Sequence, residues 1–168
     1  MVKRLATAML AVALLIAAGW YGWQLGPWAD SSDEYGVPID FANLELGSSP
    51  NQYLIAPADT TPRAKPDAQS PVFGIPPERL RDAFSAVVAE APRTKLLGQS
   101  DHGMRLSLVQ RSAVFRFPDY IDVAILPAGS GSTVAIYSRS RFGYSDMGVN
   151  RRRVEDWIMA LQRKAALR

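Results

Sequence analysis

The spacing of hydrophobic residues changes along the chain, and each spacing predicts a different element. Residues 5–25 contain no charged side chain, and a helix of about 20 apolar residues is long enough to cross a bilayer. Between 76 and 91, apolar residues recur three or four positions apart, and Pro92 follows them, which predicts a helix. The same spacing predicts a last helix over 150–165, with Asn150 as its N-cap.

Between these two helices the apolar residues alternate with other residues, which indicates antiparallel strands with one buried face. The Gly- and Ser-rich residues 127–132 predict a hairpin loop. Residues 37–46 alternate more weakly and could form an early strand. We expect an α+β domain in which a curved antiparallel sheet of about four or five strands carries both helices on one face. The alternation covers the segments 104–108, 113–117, 121–125 and 134–138.

The alternation also predicts how two of these strands pair. Apolar residues are odd-numbered before the hairpin loop and even-numbered after it, and directly opposed residues share a face. A six-residue loop then pairs Val123 with Ile136 and Tyr120 with Arg139. In this register Asp122 lies diagonal to Arg139, within reach of an ion pair.

The N-terminal segment predicts an extracytoplasmic location. Lys3 and Arg4 precede the apolar run, so the N-terminus should stay in the cytoplasm, and four aromatic residues cluster at the far end of the run. A cleaved signal peptide ending near residues 17–19 is the alternative. We predict a single-pass protein of the bacterial inner membrane with a periplasmic C-terminal domain. Its parts are a cytoplasmic tip (1–4), a transmembrane anchor (5–25), a stalk (26–46) and an α+β domain (47–165) with a Pro-rich loop (61–71); the aromatic residues are Trp20, Tyr21, Trp23 and Trp28.

Composition removes several classes of chemistry. The chain has no cysteine and a single histidine, His102, which excludes disulfides, thiolate nucleophiles and multi-histidine metal sites within one chain. We therefore predict no metal and no cofactor. Residues 30–90 hold four basic and ten acidic side chains, whereas residues 91–168 hold thirteen basic and six acidic ones. This polarity disfavours nucleic acid as a partner, since such domains are usually basic throughout.

The densest polar stretch is SRSRFGYSDMGVNRRR, residues 138–153. Its last three arginines would occupy the first turn of the final helix, where the helix dipole disfavours cations. They need compensation from carboxylates of the protein or from a bound anion, because guanidinium groups and free helix N–H groups together attract anions. The stretch is therefore a candidate anion-binding site or a structural joint between strand and helix. Its candidate residues are Arg139, Arg141, Tyr144, Asp146, Asn150, Arg151, Arg152 and Arg153.

The same stretch resembles the near-terminal signature of the family catalogued as domain of unknown function 1499, over roughly residues 47–162. Many members of that family carry a Cys-Pro-x-x-Pro-Asn-Cys segment near the start of the domain. This chain keeps Pro50 and Asn51 there and lacks both cysteines. The resemblance implies no assigned activity. The signature residues matched are Ser138, Ser140, Arg141, Gly143, Tyr144, Ser145, Asp146, Gly148 and Asn150, followed by Arg151 and Arg153.

These observations favour a membrane-anchored extracytoplasmic binding module of unassigned biochemical role. Its expected partners are the membrane itself and an anionic lipid or an envelope protein. A scaffold subunit of a membrane complex is the first alternative. A hydrolase-type enzyme is the second, because Asp101 beside His102 could form a base and its orienting carboxylate.

Overall fold

The computed structural model describes residues 2–24 and 36–166, which fall in two compact units. The first unit contains helix α1, Val2–Gln24. The second contains a mixed α+β domain, so the α+β class is confirmed. The side chains of Trp20, Tyr21 and Trp23, together with Trp28 and residues 26–35 of the predicted stalk, lie outside what the structure describes.

Helix α1 covers most of the predicted transmembrane anchor. Within residues 2–24 and 36–166, no helix combines the length and the apolar character needed to cross a bilayer. The transmembrane helix predicted for residues 5–25 is therefore not supported.

The second unit has seven strands and two helices in the described residues. Helix α2 (Pro77–Glu90) begins with proline, which fits the first turn because its missing N–H has no helical partner there. Helix α3 (Val149–Ala166) ends the described chain. Both confirm the predicted helices to within a residue or two. The strands are β1 (Gln52–Ala56), β2 (Ala68–Gln69), β3 (Val72–Phe73), β4 (Thr94–Ser100), β5 (Arg105–Arg111), β6 (Pro118–Ala128) and β7 (Gly131–Ser140).

The sheet has the order β2-β1-β7-β6-β5-β4, and β3 also pairs with β7. All pairs are antiparallel except β1 with β2. The predicted register of β6 and β7 is confirmed, since Val123 opposes Ile136 and Tyr120 opposes Arg139. The diagonal ion pair is confirmed too, because Arg139 Nη1 lies 2.7 Å from Asp122 Oδ2.

Three local predictions about strands and loops are wrong. The ladder continues to Ala128 opposite Gly131, so the predicted loop at 127–132 is a two-residue turn, in which Gly129 adopts a φ of 59°. Residues 113–117 are a loop between β5 and β6, and their apolar side chains alternate without forming a strand. Residues 37–46 hold a single 3-10 turn, Phe41–Asn43, in place of the early strand.

Both faces of the sheet are covered, which corrects the expectation of one buried face. Helices α2 and α3 pack on one face, where Phe84 and Trp157 meet edge to face with ring centroids 5.8 Å apart. On the other face, Phe41 and Leu44 of the preceding segment pack with Tyr137 of β7. The residues that alternate with the helix-side core are therefore also buried. The helix-side core includes Leu80, Phe84, Val87, Leu106, Leu108, Ile121, Val123, Ile136, Val154, Trp157 and Leu161.

Candidate functional site

Asn150 lies at the centre of the polar stretch and is fully buried. Its amide nitrogen donates to the Asn51 carbonyl at 3.0 Å and to Ser140 Oγ at 3.0 Å. Its amide oxygen accepts from Ser138 Oγ at 2.6 Å. One side chain thus joins the first turn of α3 to β7 and to the residue that precedes β1, and its polar atoms are hydrogen-bonded as buried polar groups require.

Arg153 extends this network to β5 and β6. Its Nη2 lies 2.5 Å from Asp119 Oδ2, and its Nη1 donates to Ser138 Oγ at 2.8 Å and to Asn150 Oδ1 at 2.5 Å. Its Nε donates to Gln110 Oε1 at 2.5 Å. Arg153 and Asp119 are both buried, so their pairing offsets the cost of removing each charge from water.

Asp146 caps helix α3, which corrects the prediction that Asn150 is the N-cap. Its Oδ1 accepts from the Gly148 N–H at 3.0 Å and its Oδ2 from the Asn150 N–H at 2.7 Å. The same Oδ2 accepts from Asn150 Nδ2 at 2.8 Å. The helix begins at Val149, one residue before the predicted cap, and Asn150 lies inside its first turn. A carboxylate at this end also complements the helix dipole.

Arg139 is held on the face of the sheet opposite the helices. Asp122, its ion-pair partner, is 1% exposed and also accepts from Ser107 Oγ at 2.9 Å. The Arg139 guanidinium lies 4.8 Å from the centroid of the Tyr137 ring. Burial raises the pKa of Tyr137 above its ordinary value, and its hydroxyl donates to Gln52 Oε1 at 2.5 Å. The Arg139 charge therefore has partners within the protein.

Arg141 and Tyr144 lie beyond the end of β7. Arg141 Nη1 is 3.3 Å from the Tyr120 hydroxyl, and its guanidinium lies 5.4 Å from the centroid of the Phe142 ring. The Tyr144 side chain is 77% exposed, while its carbonyl accepts from Ser49 Oγ at 2.8 Å. The loop that carries both residues is held by a hydrogen bond, in which Asn51 Nδ2 donates to the Gly143 carbonyl.

The three arginines after Asn150 have three different environments. Arg151 Nε lies 2.8 Å from Glu155 Oε1 on the solvent side, and this hydrogen bond raises the pKa of Arg151. Arg153 is paired with Asp119 in the interior. Arg152 is exposed, and its Nη1 donates to the Met147 carbonyl at 2.9 Å. Within the part of the chain that the structure describes, Arg152 is the member of the three whose contacts include no carboxylate.

Arg152 borders an open groove of about 410 Å³ between the end of α2, the start of α3 and β5. Arg93 also lines the groove; it is exposed, and its Nε donates to the Arg111 carbonyl at 2.9 Å. Glu90 and Asp156 are the acidic residues of the groove, and Glu90 pairs with Lys164 at 2.7 Å. The apolar part of the lining is Val87, Ala91, Pro92, Val149, Trp157 and Ala160.

Asp101 and His102, the candidate orienting carboxylate and base, have other contacts in the structure. Asp101 Oδ2 lies 2.9 Å from Arg105 Nε, so this carboxylate serves an ion pair. His102 lies in a 3-10 turn with a φ of 55°, and its carbonyl accepts from Arg81 Nη1 at 3.1 Å.

The structure does not bring the eight predicted site residues into a single site. Asp146, Asn150 and Arg153 form one network, and Arg152 lies on the groove. The others lie on the opposite face of the sheet (Arg139), beyond the end of β7 (Arg141 and Tyr144) and on the solvent side of α3 (Arg151). Sequence reasoning missed Asn51, Gln110 and Asp119 as members of the network. The sequence could have indicated Asn51, because this residue belongs to the segment that resembles the start of the family domain. In the structure Asn51 bonds to two residues of the near-terminal signature, Gly143 and Asn150.

Comparisons with known proteins were consistent with the signature. The family model described as "Protein of unknown function (DUF1499)" matches residues 45–161. No curated protein matches the chain. A solved structure, TTHA0849 from Thermus thermophilus, is 13% identical, with a TM-score of 0.29; the match covers 57% of this chain and 90% of that one. That score is too low to support an argument about fold or function.

Proposed function

The chain belongs to the DUF1499 family, which has no assigned activity, and we propose that its α+β domain is a binding module for an anionic amphiphile. The ligand would lie in the groove between α2 and α3, with its anionic group at Arg93 and Arg152. The membrane-anchored, extracytoplasmic setting stays a prediction, and the binding does not depend on it.

The observation that carries this proposal is the position of Arg152. Among the described arginines of the polar stretch, Arg139, Arg151 and Arg153 each pair with a carboxylate of the protein. Arg152 contacts a carbonyl oxygen and keeps guanidinium N–H groups available at the rim. Guanidinium groups bind phosphate and carboxylate through two parallel hydrogen bonds. Arg152 can therefore bind an external anion, whereas the other three arginines already bind carboxylates of the protein.

The charge around the groove also favours an anion. Glu90 is neutralised by Lys164, and Arg153 is neutralised by Asp119. Arg93 and Arg152 then face a single remaining carboxylate, that of Asp156. The local balance is therefore positive.

The lining argues for an apolar body attached to the anionic group. Six of the twelve lining residues are apolar, and they include the ring of Trp157, which is also part of the helix-side core. Binding sites for small molecules combine such apolar walls with a few polar groups that fix orientation. Inorganic phosphate would leave these walls in contact with water.

The proposal is tested by calorimetric titration of the full chain with a short-chain alkyl phosphate below its micelle concentration. We expect the alkyl phosphate to bind more tightly than either inorganic phosphate or the matching alkyl alcohol. Arg152→Gln should weaken binding by about tenfold, since a hydrogen bond to a charged group contributes about 1.5–3 kcal/mol. Asp156→Asn should strengthen it, because it removes the remaining negative charge of the groove.

The matched control is Arg163→Gln, an exposed arginine near the other end of the same helix. It changes the net charge equally and should leave the affinity unchanged. Equal losses in Arg152→Gln and Arg163→Gln would mean that the protein attracts anions only through its overall charge, and the groove would then be discarded as the site.

A further inference from the structure

A second surface, formed by two neighbouring loops, carries exposed aromatic side chains. Strand β5 ends at Arg111 opposite Pro118, and β7 ends at Ser140 opposite Asp119, so both loops leave from the same end of the sheet. In the first loop Val114 is 56% exposed and Phe115 is 50% exposed, and Phe142 of the second loop is 41% exposed. We call Val114, Phe115, Phe117 and Phe142 the aromatic tip.

The rings of the aromatic tip form a continuous array across the two loops. The Phe115 and Phe117 centroids are 5.7 Å apart in a stacked arrangement, and the Phe117 and Phe142 centroids are 6.2 Å apart. Single exposed apolar residues are ordinary on protein surfaces, but adjacent ones from two loops form a patch, and such patches mark interaction surfaces.

The backbone holds the first loop in this shape. The Ser112 N–H donates to the Phe117 carbonyl at 2.9 Å, and the Phe117 N–H donates to Ser112 Oγ at 2.9 Å. Arg111 Nη1 donates to the Arg116 carbonyl at 3.1 Å. The exposure of Phe115 is therefore built into a fixed loop, and binding a partner would cost little in ordering this segment.

Basic side chains outnumber acidic ones around the aromatic tip, since residues 111–119 and 138–146 hold four arginines and two aspartates. Arg111, Arg116 and Arg141 lie in or beside the two loops, and the Arg141 guanidinium contacts the Phe142 ring. Of the carboxylates at this end, Asp119 is buried against Arg153 and Asp146 caps α3. This end of the sheet therefore combines apolar rings with an excess of basic residues, among them Arg116.

We infer that the aromatic tip is a docking surface for an anionic lipid bilayer. Aromatic rings favour the boundary between headgroups and acyl chains, and arginine keeps its charge among the headgroups while its stem lies along apolar surface. Each basic side chain near an anionic membrane surface adds about 1 kcal/mol of attraction. The inference uses residues outside the groove and stands whether or not the groove binds a ligand.

The absence of cysteine from the chain allows a site-specific test. Val114→Cys and Ser130→Cys would each be labelled with a dye whose fluorescence rises in an apolar environment. Ser130 lies exposed in the β6–β7 turn, at the opposite end of the sheet. With the full chain and phosphatidylglycerol-containing vesicles, we expect a rise from the label at 114 and none from the label at 130.

The competing outcomes overturn the inference. Sedimentation with vesicles while the label at 114 stays silent would assign the contact to another surface, such as α1. A silent label and no sedimentation would remove the bilayer as the partner and favour an acidic protein surface. An equal rise on purely zwitterionic vesicles would remove the role of the arginines.

Substitutions separate the apolar and the charged contributions. Phe115→Ser with Phe142→Ser should weaken vesicle binding by at least about tenfold, since burying one large apolar side chain contributes about 1.5–3 kcal/mol. Phe115→Leu should restore part of the loss. Arg116→Gln should weaken binding about fivefold on anionic vesicles.

The control substitutions are Val72→Ser with Met159→Ser, which remove two exposed apolar side chains elsewhere and should leave binding unchanged. Arg152→Gln distinguishes this inference from the proposed function, because it should weaken the binding of alkyl phosphate in the groove by about tenfold while the label at 114 still responds. If Phe115→Ser with Phe142→Ser and its control bind equally, the aromatic tip is not the docking surface.

Discussion

Arg153 Nη2 lies 2.5 Å from Asp119 Oδ2, and this buried pair connects the first turn of α3 to the start of β6. Both side chains are almost completely removed from water, and Arg153 makes further bonds to Ser138, Asn150 and Gln110. An arginine that looks like a ligand-binding residue in the sequence is therefore part of the domain's internal support.

Removing one member of this pair should destabilise the protein strongly. Asp119→Asn leaves a buried guanidinium without its counter-charge, so we expect the free energy of unfolding to fall by about 3–5 kcal/mol. Urea unfolding of the full chain measures this change. Asp156→Asn, on the exposed side of α3, should change it by less than about 0.5 kcal/mol. Similar values for the two variants would contradict a supporting role for the pair.

The capping role of Asp146 predicts a smaller, graded effect. Asp146→Ala removes the acceptor for the Gly148 and Asn150 N–H groups, and we expect a loss of about 1–2 kcal/mol of unfolding free energy. Asp146→Asn keeps one oxygen acceptor and should lose less. Thermal unfolding of both variants, with Asp156→Ala as the control, gives the order. A larger loss for asparagine than for alanine would be incompatible with capping.

Gly131 should be intolerant of any side chain. A Cβ at this position would lie 2.1 Å from the Phe73 carbonyl oxygen, so β3 would have to move away from β7. We expect Gly131→Ala to lower the unfolding free energy by about 1–3 kcal/mol, as overpacking does. Gly74→Ala is the matched control because no atom lies within 4 Å of the added Cβ. Equal stability of the two variants would show that β3 can move away from β7 without lowering the free energy of unfolding.

Tyr137 predicts a loss of stability at high pH. Its pKa is raised in the folded protein by burial, so the unfolded chain releases this proton at a lower pH than the folded chain does. The Tyr137 contribution is fully present below pH 10.0, its ordinary pKa, and is lost as pH rises through the folded pKa. Tyr137→Phe should have a flatter decline in unfolding free energy above that pH. Parallel declines in the two proteins would refute the assignment.

The sequence predicts the fold best where the apolar residues of a segment recur at one regular spacing. Both helices of the α+β domain and the β6–β7 register follow from such periods. Strand β4 was missed because a register shift between Leu96 and Gly98 interrupts the alternation. Strand β1 was missed because Leu54, Ile55 and Ala56 are all buried, so the strand has no polar side to mark it. The false strand at 113–117 has the opposite cause, since its aromatic residues alternate on an exposed loop.

The site was harder to predict because its partners are distant along the chain. Nothing local distinguishes Arg152 from Arg151 and Arg153, yet one pairs with a glutamate one turn away and another with an aspartate 34 positions earlier. Only the strand pairing brings Asp119 beneath α3. The position of a residue in a dense basic run therefore does not reveal whether it binds a ligand or supports the fold.

The hydrogen bond from Asn150 to the Asn51 carbonyl spans 99 positions, so the residue that leads into β1 acquires this partner only when α3 exists. During synthesis, β1 emerges early and must wait for nearly the whole domain before α3 can close against it. A chain ending at Gly148 would leave the Asn51 and Ser138 groups without these contacts, and its core would stay open on the side that α3 covers. The helix-side core of the domain can therefore close only after α3 has been synthesised.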